Sequence, residues 1–266
     1  MFQFAANLSM MYTEFDFLDR FSAAAKDEFT GVEILIPYEY SPEVLANQLK
    51  SNQLKLVLFN AKAGDIAKGD KGMACIPGRE QEFRDGFLEA LDYAAKLDCQ
   101  QIHVLAGIKP VGVDTAVLLE TYCKNLLWAT EQAKSSGTLV LIEPINNRDM
   151  PNYFLNYQAQ AHEIVESVGA ENLRVQFDLY HCQIMEGDLA TRIKKYLPTG
   201  LVSHIQIAGV PERFEPNIGE INYPYLFSVI KSLGYEGYIG CEYRPKIKNT
   251  ANDTSVGLDW LRNLQI

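Results

Sequence analysis

The sequence predicts one (β/α)8 TIM barrel spanning residues 1–266, and three observations carry that expectation. Short β-rich apolar runs alternate with longer helical patterns from end to end, the signature of βα units feeding a parallel sheet. The length of 266 residues suits one such barrel, and no linker-like stretch or shift of composition divides the chain. Polar residues end four consecutive runs, and they meet only if the sheet closes on itself. A doubly wound open sheet would give the same alternation, but no GxGxxG follows the first strand.

Strands are expected at residues 2–7, 31–36, 54–60, 101–106, 138–143, 173–178, 201–207 and 238–243. A helix is read at 80–97, where Phe83, Phe87, Leu91 and Ala94 recur at spacings of four and three and form one apolar face. Leu118, Leu119, Tyr122, Leu126 and Ala129 give a second helix, 115–134, its stripe. Ser41 followed by Pro42 and Glu43 reads as a helix entry, as does Asp253. Long connectors at 61–77, 144–157 and 208–219 follow strands, the side on which barrels place active sites.

Composition narrows the function classes. The 34 acidic and 24 basic side chains leave a formal charge of −10, which opposes extended contact with nucleic acid or an anionic membrane surface. A small anion remains compatible, because a metal ion and one or two arginines can reverse the potential inside a pocket. The segment MFQFAANLSMMYTEFDF lacks a basic n-region, and no run approaches the roughly 18 apolar residues of a membrane span. A cytoplasmic location is therefore expected. Five cysteines without a CxxC pair fit reduced thiols better than a disulfide framework. Oligomeric state stays open, a homo-oligomer included.

The chemistry concentrates at strand ends. The run Leu139-Val140-Leu141-Ile142 closes on Glu143 and Pro144, and the proline holds Glu143 extended while ending strand pairing. Asp178 closes the sixth strand and Glu242 the eighth, with Gln206 between them in the seventh. The spacings are 35, 28 and 36 residues, each about one βα unit. Any one of these acids alone could be a loop cap or a surface ion pair. Three carboxylates in one pocket would raise one another's pKa unless a cation is present, and Mg2+ or Mn2+ with oxygen ligands answers that need.

Around this group, His181 in DLYH opens the next helix, where it reaches either a bound substrate or a capping role. His204 shares a strand face with Gln206 and is expected in the barrel interior without touching metal, while His103 and His162 read as structural. Arg79, Arg213 and Arg244 are candidates for clamping a carboxylate through two hydrogen bonds, each alternatively an ordinary surface ion pair. GDIAKGDK lacks the Gly-Lys-Ser/Thr ending of a P-loop, and no GxSxG occurs.

The segments FAANLSMMYTE, LFNAKAGDIAKGDKG, PGRE, QIHVLAG, LIEPIN, QFDLYHCQ, HIQIAGVPERFEP, GEINYP and IGCEYRP together resemble the hydroxypyruvate isomerase family. This family belongs to the xylose-isomerase-like barrels and includes 2-oxo-tetronate isomerases. The resemblance spans nearly the whole chain. It implies a divalent metal on Glu143, Asp178, Gln206 and Glu242, with Glu143 and Glu242 as proton donor and acceptor. In the wider superfamily the position of Gln206 is commonly histidine, a stronger ligand than a neutral amide.

The implied reaction interconverts a 2-oxo acid and its isomer through an enediolate: hydroxypyruvate to tartronate semialdehyde, or 2-oxo-tetronate to 3-oxo-tetronate. One carboxylate removes a proton beside the carbonyl and the other reprotonates the neighbouring carbon. His181 then hydrogen-bonds a substrate oxygen, and the arginines hold its carboxylate. A ketose 3-epimerase would use the same glutamates on a neutral sugar. A catalytically silent sugar-binding barrel is disfavoured, because buried unpaired acids are costly without a function. A barrel-type apurinic endonuclease needs many histidine ligands and a basic face, which four histidines and this charge do not supply.

Overall fold

The computed structural model of the chain describes residues 2–248 and 251–264. Its eight strands are β1 (Gln3–Asn7), β2 (Gly31–Ile34), β3 (Lys55–Asn60), β4 (Gln101–His103), β5 (Leu139–Ile142), β6 (Leu173–Asp178), β7 (Val202–Ile207) and β8 (Tyr238–Cys241). They pair in parallel in sequence order, and β8 returns to β1 to close the barrel. The outer helices are α1 (Arg20–Lys26), α2 (Pro42–Ser51), α3 (Glu80–Leu97), α4 (Thr115–Ala133), α5 (Gln158–Val168), α6 (Leu179–Met185), α7 (Leu189–Tyr196) and α8 (Tyr223–Ser232). Short helices α9 (Asp253–Val256) and α10 (Asp259–Arg262) follow β8.

Local chemistry explains the elements. The Ser41 side chain accepts from Val44 N and Pro42 occupies the first turn of α2, so the expected entry forms. On α3 the face Phe83, Phe87, Ala90, Ala94 and Leu97 is buried against the barrel. On α4 the stripe runs through Leu118, Tyr122, Leu126 and Ala129, but Leu119 is 40% exposed, contrary to its expected place on that face. Leu119 lies one residue, about 100°, from Leu118 and turns outward.

Several strands end sooner than the apolar pattern suggests, because side chains replace the backbone ladder. Past β2, Leu35 N donates to Ser9 Oγ at 2.9 Å, and past β4, Ala106 N donates to the Tyr153 hydroxyl at 2.8 Å. Glu143 and Glu242 lie one residue beyond β5 and β8 rather than inside them.

Alternation along the strands sorts the lumen into layers. Ala5, Val57, Leu58 and Leu141 form an apolar cluster of their own, with Leu139 and Tyr238 against it. Nearer the carboxyl ends, Asn7, Glu33, Gln176, His204 and Gln206 form a buried hydrogen-bonded group packed against Gly240. Beyond that group come Glu143, Asp178 and Glu242. The 61–77 connector is pinned beside them by a bridge between Gly72 and Ala106. Gly72 has φ +101° and a Cβ there would overlap the Leu105 carbonyl, so glycine is required.

Candidate active site

At the carboxyl ends of the strands, a cavity of about 350 Å³ is lined by Glu143, Glu242, Gln176, His103, His181 and Arg213, among others. Strands β5 and β8 are three positions apart in an eight-membered ring, so Glu143 and Glu242 enter from well-separated sides.

Each carboxylate is held differently. Asp178 caps α6, its Oδ1 accepting from Tyr180 N at 2.6 Å and His181 N at 3.2 Å. Its Oδ2 has no hydrogen-bond partner, and neither has Glu143 Oε1. Glu242 Oε1 lies 2.8 Å from Arg213 Nη2, which stands 3.7 Å from Asp178 Oδ2. Burial, then the neighbouring Glu242 and Asp178 charges, push Glu143 well above the ordinary carboxylate range. Burial likewise lifts Asp178 to about 6 and Glu242 to about 8, with Arg213 opposing both shifts.

Arg213 is the counter-charge of this group. It adopts φ 59°, a left-handed conformation costly for a side-chain-bearing residue. Hydrogen bonds from Arg213 N to Gly209 O and from Arg244 N to Arg213 O hold that turn. The guanidinium lies 4.8 Å from the centre of the Tyr180 ring and donates through Nε to Glu242 O at 3.2 Å.

His181 is buried, and burial, Arg213 and His103 together depress its pKa well below the usual value. These surroundings favour the neutral ring. Its Nδ1 accepts from Asn146 N at 3.3 Å and lies 2.6 Å from Asn146 Nδ2, which assigns the proton to Nε2. That N–H points between Glu143 Oε1 at 3.9 Å and Asp178 Oδ2 at 3.7 Å. The 3.4 Å approach of Arg213 Nη2 to Nε2 is then a close contact between donors, not a hydrogen bond.

The donor set fits a hard cation. Polar atoms of Glu143, Asp178 and His181 lie within 4.8 Å of one another, and the two carboxylates each keep one unpartnered buried oxygen as ligand, while His181, with its proton on Nε2, faces the same point as a donor. Gln206 lies below them: its Nε2 donates to Glu33 Oε2 at 2.8 Å and its Oε1 accepts from Gln176 Nε2. Arg244 is exposed and borders the cavity. Arg79 stands apart from the cavity wall, bonding Asp70 and Glu82 at 2.7 Å each and bracing the 61–77 connector.

Sequence reasoning passed over several contributors. His103, read as structural, lines the cavity 3.7 Å from Glu143 Oε2, with burial lowering its pKa to about 3. His162 does pack structurally, stacked on Tyr196 at 4.0 Å. Lys71 also borders the cavity. Glu33 and Gln176 were visible only as polar interruptions of apolar strands.

Raised carboxylate pKa values set the pH dependence of stability. Asp178 and Glu242 hold protons in the folded state that they release when unfolded, so their contribution is favourable below about pH 4 and is lost as pH rises through about 6 and 8. Metal-free protein should therefore melt progressively lower between pH 5 and 8. Added Mg2+ or Mn2+ should raise the melting temperature more at pH 8 than at pH 5.5. An equal or smaller gain at pH 8 would contradict a cation held by these acids.

A closed parallel barrel with buried acids and an arginine at the carboxyl ends of its strands is the architecture of a barrel enzyme. The sequence profile of the xylose isomerase-like TIM barrel family matches residues 21–264. A 2-oxo-tetronate isomerase of Cupriavidus necator is 54% identical over 260 residues, covering 98% of this chain and 97% of that one. A hydroxypyruvate isomerase of Escherichia coli is 44% identical over 261 residues, covering 98% of each. Among solved structures, an AP endonuclease, family 2, from Brucella melitensis superposes with a TM-score of 0.94 at 49% identity over 98% of both chains. The chain belongs to the xylose isomerase-like TIM barrel family, on its hydroxypyruvate isomerase branch, and is an isomerase. No helix among the described residues is long and apolar enough to cross a membrane.

Proposed function

We propose that the chain isomerises a small 2-oxo acid bearing a hydroxyl on carbon 3, moving the carbonyl between carbons 2 and 3 through an enediolate. Hydroxypyruvate to tartronate semialdehyde and 2-oxo-tetronate to 3-oxo-tetronate are two cases of this one change, and curated relatives carry both names. The observation that carries the reading is the pair Glu143 and Glu242 on separated strands of one cavity, with the Arg213 guanidinium beside them. One glutamate takes the proton from carbon 3, and the other delivers a proton to carbon 2. The hydroxyl proton on the carbon 3 oxygen passes to the carbon 2 oxygen, so no external reductant is needed. A neutral His181 donates from Nε2 to a substrate oxygen, and Arg213 binds the carboxylate, with Arg244 at the rim.

Glu143 and Asp178 would hold a divalent ion beside Glu242, with Gln206 braced beneath. When bound, Mg2+ or Mn2+ supplies positive charge to the enediolate oxygens. The charge of −10 and four histidines weigh against a nucleic-acid substrate. Five free cysteines, four of them buried, support the cytoplasm.

Turnover of hydroxypyruvate or 2-oxo-tetronate in D2O, followed by NMR, tests the proton route. Deuterium should enter the carbon that gains hydrogen, because a carboxylate-borne proton exchanges with solvent. Metal-dependent turnover without label, together with an active Glu143→Gln variant, would replace the proton shuttle with a hydride shift. Preference for neutral ketoses over both acids would move the assignment to epimerisation.

A further inference from the structure

Beneath the acids lies a chain of buried side chains that the proposed reaction has not used. Glu33 is 1% exposed and faces three donors: His204 Nε2 lies 2.5 Å from its Oε1, while Gln206 Nε2 at 2.8 Å and Asn7 Nδ2 at 3.2 Å meet its Oε2. Room for this carboxylate is built in, since a Cβ at Gly240 would overlap it. A carboxylate receiving these bonds accepts only. Gln206 must therefore turn its amide nitrogen to Glu33 and its oxygen away. That oxygen accepts from Gln176 Nε2, which in turn sends the Gln176 oxygen outward. Reversing either amide would set oxygen against oxygen or nitrogen against nitrogen.

The chain ends on an unanswered acceptor. Gln176 lines the cavity, is 1% exposed, and its Oε1 has no hydrogen-bond partner. Gln176 and Asp178 occupy the same face of β6, two residues apart, so Gln176 lies one step below Asp178 on the wall of the cavity. We propose that Gln176 is a specificity-determining residue whose carbonyl accepts a hydroxyl hydrogen of the substrate, and that Glu33, acting through Gln206, is the positioning residue that fixes this polarity. The inference rests on the hydroxy 2-oxo acid reading above and adds to it the group that selects the hydroxyl. An acceptor locked in place favours a ligand that donates there over one that has only hydrogen at that carbon, because the buried oxygen is otherwise left unpaired.

The test uses D-glycerate and D-lactate, unreactive acids that differ by the hydroxyl on carbon 3. Their dissociation constants are measured by calorimetry on the full chain with Mg2+, independently of turnover. Wild type should bind glycerate about tenfold more tightly than lactate. Gln176→Met should erase most of that ratio by weakening glycerate while leaving lactate nearly unchanged. Glu33→Gln, which removes the obligate acceptor but keeps Gln176, should reduce the ratio part of the way, and it decides the matter if Gln176→Met does not fold. A ratio unchanged in either folded variant, or an equal loss for both acids, overturns the inference while leaving the isomerase reading intact. Failure of wild type to bind either acid, with hydroxypyruvate turnover also absent, removes the reading and the inference together.

Discussion

Glu143→Gln is expected to lower kcat by about 10³-fold while leaving the protein folded and raising the melting temperature of the metal-free protein. A general acid-base group contributes roughly 10² to 10⁴ in rate, and glutamine keeps the shape without moving a proton. Stability should rise because Glu143 is buried, has an unpartnered Oε1 and is destabilised as an anion by Glu242 and Asp178. The neutral amide relieves that repulsion. The two readouts separate causes: a fall in activity accompanied by a fall in melting temperature would point to structural damage. Wild-type turnover in this variant would remove Glu143 from the reaction altogether.

The second large effect is expected at Arg213. Arg213→Met should cost about 3 kcal/mol of stability in the metal-free protein, because removing one partner of a buried ion pair strands the other. The stranded groups are Glu242 at 2.8 Å and Asp178 at 3.7 Å. Mg2+ should recover part of the loss by supplying the missing charge. In the same variant KM for 2-oxo acids should rise tenfold or more, with a much smaller rise for neutral ketoses, which carry no carboxylate to clamp. Arg244, exposed at the rim, should give a weaker version of the kinetic effect and almost none of the stability effect. Equal KM changes for acids and ketoses in Arg213→Met would discard the clamp, and an unchanged melting temperature would discard the counter-charge role.

How far the sequence reaches can be judged residue by residue. The barrel was legible because period-two and helical patterns are local properties of the chain, and eight of them in alternation leave few topologies. Glu143 and Glu242 stood out because each abruptly ends an apolar strand run, and Asp178 because it both ends β6 and opens α6. Their regular spacing turned three local signals into one site. Arg79 shows the limit of that logic: a cation near a long loop can serve either substrate or loop, and its bonds to Asp70 and Glu82 are not encoded by proximity to a strand end.

Sequence alone determined the strand-end acids, the barrel that gathers them and the family to which both belong. Tertiary structure decided what each neighbour does. Glu33 sits 171 residues from His204 and 173 from Gln206 in the chain, and only closure of β8 onto β1 sets β2 close enough to β7 across the lumen for them to bond. Pairing of neighbouring strands brings His103 on β4 beside Glu143 just past β5, and sets Arg213, in the loop after β7, beside Glu242 just past β8. Hydrophobic periodicity records which face of an element is buried. It carries no record of which buried polar groups will meet, because those pairings form between elements distant in sequence and are selected by hydrogen-bond geometry within the closed barrel.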